Sequence, residues 1–116
     1  MDGRVKSLHP VIFGGLLADP DKEQHKKDLE QIGASPFQLV VVNLYPFSQA
    51  YNDPQSSHDD IIEMIDIGGP SMLRAAAKNY KSNIVLSDPG QYDRFLEKLE
   101  KDSLNLEYRK ELAAEV

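Results

Sequence analysis

The segment Leu39-Val40-Val41-Val42-Asn43-Leu44-Tyr45-Pro46-Phe47 joins a continuous apolar run to polar and aromatic side chains. The apolar run is mostly β-branched and does not alternate with polar residues. It predicts a strand over residues 37–44 that is covered on both faces, as in a parallel sheet. Because ligands bind at the carboxyl ends of strands in open α/β sheets, residues 43–47 are the first candidates for a functional site.

The segments before and after this strand are predicted to form loops and short helices. Residues 1–18 hold glycines and a His-Pro pair, which are typical of loops and turns. Acidic residues and a proline predict a surface helix that runs to residue 31 and ends at Gly33. Polar residues over 48–58 predict a loop, and residues 59–65 predict a short helix.

The carboxyl-terminal half shows stronger signals. Gly68-Gly69-Pro70 predicts a tight turn into a helix that has proline at its first position and runs to residue 78. A second strand is predicted over 83–87, then a helix capped by Asp88 with an apolar face, then a last helix over 106–115. This alternation predicts an α/β fold in which helices flank a parallel sheet.

Length and composition exclude several classes of protein. The chain has 116 residues, a formal net charge of −6 and no cysteine. One domain is expected, without disulfides, Cys-ligated zinc, an iron–sulfur cluster or a thiol nucleophile. The acidic balance argues against a nucleic-acid partner, and no membrane span or secretory signal is visible, so we expect a cytoplasmic protein. The three histidines lack metal-ligand spacing, so no metal site is predicted.

Basic residues are unevenly distributed. Bases outnumber acids in residues 1–18 and 67–87, which also hold the glycine-rich turns, whereas residues 53–66 carry acids and no base. Cations beside a helix amino terminus predict a small anionic ligand. The alternative is that these bases are ordinary solvated surface groups.

Four residues are candidates for chemistry, each with an ordinary structural alternative. Lys78 lies four residues after Arg74 on one helix face; if partly buried it suits proton transfer, and otherwise it is a surface lysine. Tyr45 offers a phenol for hydrogen bonding or a half-buried aromatic anchor. Asn43 can bind a carbonyl or amide group or satisfy the strand end. Asp66 caps the next helix or orients a nearby lysine.

Three segments form a more specific pattern when they are taken together. They are Asp2-Gly3-Arg4-Val5-Lys6-Ser7-Leu8-His9-Pro10, Val40-Val41-Val42-Asn43-Leu44-Tyr45-Pro46-Phe47 and Ile65-Asp66-Ile67-Gly68-Gly69-Pro70-Ser71-Met72-Leu73-Arg74-Ala75-Ala76-Ala77-Lys78-Asn79. In this order they resemble the IMP cyclohydrolase domain of the bifunctional purine biosynthesis enzymes, which join AICAR formyltransferase and IMP cyclohydrolase in one chain. The resemblance implies a methylglyoxal-synthase-like domain that needs no metal or organic cofactor.

The resemblance also implies a reaction and a set of site residues. The family cyclises the formamido intermediate FAICAR to inosine monophosphate (IMP) with loss of water. Lys78 matches the family's proton donor/acceptor, and Lys6, Tyr45 and Asp66 match the polar groups around the reacting atoms. The matched nucleotide-binding residues are Arg4, Val5, Lys6, Ser7, Val42, Asn43, Asp66 and Ile67. We expect Lys6 or Tyr45 to stabilise the carbonyl oxygen, and Lys78, held by Asp66, to move the proton.

The sequence departs from the family pattern in a few places. Ser7 stands where the family usually has Thr, Phe13 where it commonly has His, and Asp19-Pro20 where it is commonly basic. The whole chain, residues 1–116, is expected to be the carboxyl-terminal portion of the cyclohydrolase domain, without its amino-terminal part and without the formyltransferase domain. A non-catalytic fragment with weak or no nucleotide binding is therefore the alternative. The resemblance implies a homodimer, in which we expect residues 92–112 to pack on another subunit.

Overall fold

The computed structural model describes residues 6–116, and the side chain of Lys6 lies outside that description. In chain order the described elements are a 3-10 turn at Lys6–Leu8, α1 (Pro10–Leu17), α2 (Glu23–Gln31), β1 (Leu39–Val41), α3 (Phe47–Asn52), α4 (His58–Glu63), α5 (Gly68–Lys78), β2 (Ile84–Leu86), a 3-10 turn at Pro89–Gln91, α6 (Tyr92–Glu100) and α7 (Leu106–Glu115). None of these described helices is both long enough and apolar enough to cross a membrane.

The two strands pair in parallel, which confirms the predicted α/β fold with a small parallel sheet. Leu39 lies opposite Ile84, and α5 belongs to the connection between the strands. The helices α5 and α7 pack on β2, whose residues are all buried. In β1, however, Val40 is buried while Leu39 and Val41 are 40% and 47% exposed, so the prediction of a strand covered on both faces is wrong for β1. An unbroken apolar run does not reveal which of its faces is covered.

The core lies between the sheet, α5 and α7. Its largest buried side chains include Tyr108 and Leu112 from α7 and Leu86 from β2. Ala76 is fully buried near the carboxyl end of α5, where its small side chain allows the helix to approach the sheet closely. This packing fixes the direction of α5 and therefore the positions of its two ends.

The prediction that residues 1–18 lack regular structure is wrong for the helix α1. The imidazole of His9 accepts a hydrogen bond from the Val11 N–H at 3.2 Å, and Pro10 occupies the first helical position. Gly14-Gly15 lies inside this helix. A Cβ atom on Gly15 would approach the backbone oxygen of Ser35 to 2.5 Å, so this glycine permits close packing rather than a turn.

Two further predictions are corrected near the candidate site. The helix α3 forms within the segment predicted to be a loop, and the rings of Phe47 and Tyr51 stack along it with centroids 6.1 Å apart. The helix α5 starts at Gly68, so Pro70 is its third residue rather than its first. Proline is tolerated there because the first-turn N–H groups have no partner inside the helix.

Other expectations are confirmed in position but not always in burial. The last helix spans Leu106–Glu115 as predicted, and Gly33 has a positive φ of 65° just after α2. On α6, Phe95 is buried, but Leu96 and Leu99 are each 52% exposed. The apolar face predicted for this helix is thus only partly covered in the described chain.

Candidate functional site

A shallow pocket lies where the chain leaves β1 and where α5 begins. It has a volume of about 320 Å³. Its lining is mostly apolar, with one phenol and one carboxylate: Leu44, Tyr45, Phe47, Met64, Ile65, Asp66 and Pro70. We call it the Tyr45 pocket. The structure therefore brings together two of the predicted catalytic residues, Tyr45 and Asp66, at the carboxyl end of a parallel strand.

Asp66 is held in place by the helix that it precedes. Its Oδ1 accepts a hydrogen bond from the Gly69 N–H at 2.7 Å, whereas Ile67 next to the helix offers no side-chain acceptor. A Cβ atom on Gly69 would lie 2.5 Å from Asp66 Oδ2 and 2.8 Å from Leu44 Cδ2. Glycine at this position therefore lets the carboxylate and the wall of the pocket close onto α5, so Asp66 is both a cap and a pocket residue.

The amino-terminal turn meets α5 at the same end. A Cβ atom on Gly68 would lie 2.6 Å from Ser7 Oγ, so the Ser7 side chain sits directly against the first residue of the helix. The predicted nucleotide-binding residues Ser7 and Ile67 thus come to one end of α5. Arg4 and Val5 lie outside the described residues, as does the side chain of Lys6.

The other predicted binding pair, Val42-Asn43, follows β1 directly. The Val42 N–H donates to the Leu86 oxygen at 3.1 Å and so continues the pairing of the two strands. The exposed Asn43 accepts a hydrogen bond at Oδ1 from the hydroxyl of Tyr92 at 2.8 Å. Tyr45 is 59% exposed, so its phenol is accessible from the pocket mouth.

Lys78 lies at the opposite end of α5 and does not contact Asp66. Ten residues of helix separate the start of α5 from Lys78, a rise of about 15 Å. Lys78 is exposed rather than partly buried, and with Arg74 it lines a different groove of about 520 Å³ between α1, α5 and α7. The expectation that Asp66 holds Lys78 is therefore wrong in this structure, because Asp66 precedes the first residue of α5 and Lys78 is its last residue.

The amino terminus of α5 is also a poor site for a separate anion. The carboxylate of Asp66 already accepts the Gly69 N–H, and Pro70 has no N–H to offer. The cations Arg74 and Lys78 lie toward the other end of the helix. The predicted anionic ligand at the glycine-rich turn is therefore not supported, and a protein carboxylate occupies that position.

The histidines have structural roles where their bonds are defined. His9 caps α1, and Nδ1 of His25 accepts the Asp19 N–H at 2.9 Å. Across residues 6–116 no group of side chains has the composition and proximity to hold a metal ion.

Sequence reasoning missed two residues that shape the site. Tyr92 packs against the core, as the apolar face predicted for its helix requires, but its hydroxyl also donates a hydrogen bond to Asn43. Gly69 was expected to form a turn, but it makes room for Asp66. The only sequence signal for Gly69 was its place beside an aspartate at a helix start. Nothing local pairs Tyr92 with a residue 49 positions earlier.

Comparison with known proteins places this geometry in a family context. A family model described as the AICARFT/IMPCHase bienzyme matches residues 76–116. The chain is 50% identical over 116 residues to the bifunctional purine biosynthesis protein PurH of Staphylococcus carnosus, and 51% identical to that of Macrococcus caseolyticus. In both cases all of this chain is covered and 24% of the relative, so the chain spans about a quarter of their length.

A solved structure extends the comparison to the fold. The crystal structure of ForH superimposes with a TM-score of 0.77 and 37% sequence identity. The match covers 99% of this chain and 60% of the ForH chain. The resemblance to the bifunctional purine biosynthesis enzymes that the three sequence segments indicate is thereby confirmed.

Proposed function

Because this chain is homologous over its whole length to part of the bifunctional AICARFT/IMPCHase enzymes of purine biosynthesis, we propose that it acts in their IMP cyclohydrolase step. The substrate is FAICAR and the product is IMP. The carboxamide nitrogen attacks the formyl carbon and a carbon–nitrogen bond forms. The formyl oxygen leaves as water after taking one proton from the carboxamide nitrogen and one from the formamide nitrogen. Within this proposal, residues 1–116 are a portion of the cyclohydrolase domain.

One observation carries the proposal more than any other. Tyr45 and Asp66, which are 21 positions apart in sequence, line the same pocket, and Ser7 packs against the helix that begins there. The pocket is mostly apolar, which suits the flat face of a heterocyclic base. The neighbouring phenol and carboxylate suit a reaction that moves protons between nitrogen and oxygen.

The polar groups of the pocket have distinct chemical abilities. The accessible hydroxyl of Tyr45 can donate a hydrogen bond to the formyl oxygen as negative charge develops on it. The carboxylate of Asp66, fixed by the Gly69 N–H, can accept a proton from nitrogen or orient the attacking amide. We assign Lys6 to the same oxygen and Lys78 to proton transfer on the resemblance alone.

The position of Lys78 favours a second candidate function. Since Lys78 and Asp66 lie at opposite ends of α5, the described chain does not assemble all of the proposed catalytic groups around one pocket. A fragment of this kind binds a purine nucleotide weakly, or not at all, without turning FAICAR over. This is the alternative that the experiments must separate from the cyclohydrolase.

The direct test is incubation of the chain with FAICAR and detection of IMP. The cyclohydrolase proposal predicts product from the unaltered chain and a loss of about a hundredfold or more in Lys78→Ala. Lys78→Arg should fail equally, because a guanidinium keeps the charge but does not release its proton. Lys81→Ala is the matched control, an exposed lysine just beyond α5 that should retain full activity.

The outcomes separate the two functions. Turnover that is unchanged in Lys78→Ala refutes the proposed proton-transfer role of Lys78. Loss of turnover in Tyr45→Phe would still support the Tyr45 pocket as the site of the reaction. Absence of turnover, together with IMP binding in calorimetric titration, supports the binding fragment instead. Absence of both turnover and binding refutes the cyclohydrolase proposal for this chain.

The resemblance also leads us to propose a homodimer. The half-exposed Leu96 and Leu99 on α6 support the expectation that the carboxyl-terminal helices pack on another subunit. Sedimentation equilibrium at increasing concentration measures the mass directly. A strictly monomeric mass at the highest concentration contradicts this part of the proposal.

A further inference from the structure

We infer that Tyr92 is a positioning residue that turns the Asn43 side chain so that its amide N–H groups face the ligand. The inference rests on the proposed function, because Asn43 is one of the proposed nucleotide-binding residues. It adds a chemical preference: the site selects a base that presents a carbonyl oxygen, as a 6-oxopurine does, over a base that presents an amino group there.

The first step is the hydrogen bond itself. The hydroxyl of Tyr92 donates to Oδ1 of Asn43 at 2.8 Å. A primary amide has an acceptor end and a donor end, and an unrestrained exposed asparagine can present either. With Oδ1 engaged by a phenol, Nδ2 is the remaining group. Among the described residues, Nδ2 of Asn43 has no hydrogen-bond partner, so its two N–H donors are available to a ligand.

The second step is the rigidity of the residue that holds the amide. Tyr92 opens α6, directly after a 3-10 turn that is fixed by its own capping contacts. Asp88 accepts the Gly90 N–H at 2.7 Å, and the side-chain oxygen of Gln91 accepts the Ser87 N–H at 2.8 Å. Ser87 follows β2 directly. The phenol is thus anchored to the carboxyl end of the strand that pairs with β1.

The third step is the place of Asn43 in the site. Asn43 follows β1 and is succeeded by Leu44 and Tyr45, which line the Tyr45 pocket. The carboxyl ends of the two parallel strands therefore meet through a side-chain bond beside the pocket. A donor fixed at this edge pairs with an oxo group and leaves an amino group without an acceptor, which is the basis of the expected selectivity.

The bond can be tested without any ligand. In nuclear magnetic resonance spectra, the Asn43 side-chain amide is identified by its disappearance in Asn43→Asp. Tyr92→Phe removes one hydroxyl and keeps the ring, so the two Asn43 amide proton signals should move toward the positions of a free asparagine. Tyr108→Phe is the matched control, since the buried Tyr108 hydroxyl has no hydrogen-bond partner in the described chain. Unchanged Asn43 signals in Tyr92→Phe overturn the inference.

The selectivity is tested by calorimetric titration with IMP and with adenosine monophosphate (AMP). Tyr92→Phe should weaken IMP binding by about two- to tenfold, the range for one hydrogen bond, and leave AMP binding unchanged. Asn43→Asp keeps an acceptor for Tyr92 but removes the donors, so it should weaken IMP binding at least as much. In an Asn43→Ala background, Tyr92→Phe should have no further effect, which a merely structural role of Tyr92 would not produce.

The outcomes distinguish this inference from the proposed function. If the unaltered chain binds IMP and Tyr92→Phe has the same IMP-to-AMP ratio, the positioning role is overturned and the proposed function stands. If the unaltered chain binds neither nucleotide, the proposed function falls and the selectivity falls with it. A reduced ratio in Tyr92→Phe, with full retention in Tyr108→Phe, supports the inference.

Discussion

Replacement of Asp66 by Asn and by Ala separates the capping role of this residue from its charge. The carboxylate accepts the Gly69 N–H at 2.7 Å, and Gly69 is buried. Alanine leaves that N–H without a partner, at a cost of about 1.5 kcal/mol, and also loses about 0.5 kcal/mol from the charge beside the helix amino terminus. Asparagine keeps an acceptor oxygen for the Gly69 N–H and loses only the charge contribution of about 0.5 kcal/mol.

For a domain of this length, 1 kcal/mol corresponds to about 4 °C in melting temperature. Calorimetric melting should therefore show Asp66→Ala about 8 °C below the unaltered chain and Asp66→Asn about 2 °C below it. Asp93→Ala is the control for the charge effect, because Asp93 is an exposed acid in the first turn of α6. It should match the Asp66→Asn variant.

The same pair of variants reports on the proposed chemistry. If the charge of Asp66 serves the reaction, Asp66→Asn should lose about tenfold or more in FAICAR cyclisation while it stays nearly as stable as the unaltered chain. Equal melting temperatures for the two Asp66 variants would refute the capping argument. Full activity in Asp66→Asn would refute the catalytic argument and leave the capping argument intact.

Three other predictions follow from contacts elsewhere in the chain. Gly15→Ala should destabilise by about 1–3 kcal/mol in urea unfolding, because the new methyl group meets a backbone oxygen, whereas Gly14→Ala, which meets the end of a flexible side chain, should cost less. The hydrogen bonds from Ser57 hold the pKa of the Asp60 carboxyl below its ordinary value, so this contact stabilises the start of α4 at neutral pH and is lost as the pH falls through the lowered pKa. Ser57→Ala should raise the pKa of Asp60 in a carboxyl-carbon titration. Tyr108→Phe should leave the melting temperature unchanged, since the buried hydroxyl has no partner among the described residues.

Local signals were sufficient where the element depends on its own caps and pattern. The last helix has the bounds that were predicted for it, and its cap is local: Asn105 precedes it, and the Asn105 side chain accepts the Tyr108 N–H at 3.0 Å. The parallel pairing of the strands also followed from local evidence, since an apolar run and a helical connection of this length favour it. These features are encoded within a few residues of where they act.

The two missed helices have different causes. Helix α1 contains Gly14-Gly15, a pair that favours a turn in isolation, and the reason for glycine becomes visible only when the backbone oxygen of Ser35 is placed 2.5 Å from the missing Cβ atom of Gly15. That contact cannot be seen in a window of local sequence. Helix α3 formed in a segment rich in polar residues, where the stacked rings of Phe47 and Tyr51 lie one helical turn apart. This aromatic pair is a local signal, but the polar residues around it favoured a loop.

The candidate site was predicted in part for a similar reason. Asp66 and Tyr45 line one pocket because Tyr45 follows the end of β1 and Asp66 precedes the start of α5, and both positions lie at the same edge of the sheet. Lys78 was expected beside Asp66 because both lie in one sequence motif. Each residue of a helix lies about 1.5 Å further along the helix axis than the residue before it. The two ends of a sequence motif that runs along a helix therefore need not share a site.

On the proposed function, the chemistry of the Tyr45 pocket determines which end of the nucleotide it takes. A phosphate needs several free N–H donors or cations, but at this end of α5 the carboxylate of Asp66 already holds the Gly69 N–H and Pro70 provides no donor. A second anion beside Asp66 would also be repelled. The pocket wall is mostly apolar, and its accessible polar groups are the phenol of Tyr45 and the carboxylate. These properties favour an uncharged heterocycle, so we expect the Tyr45 pocket to hold the base end of the nucleotide.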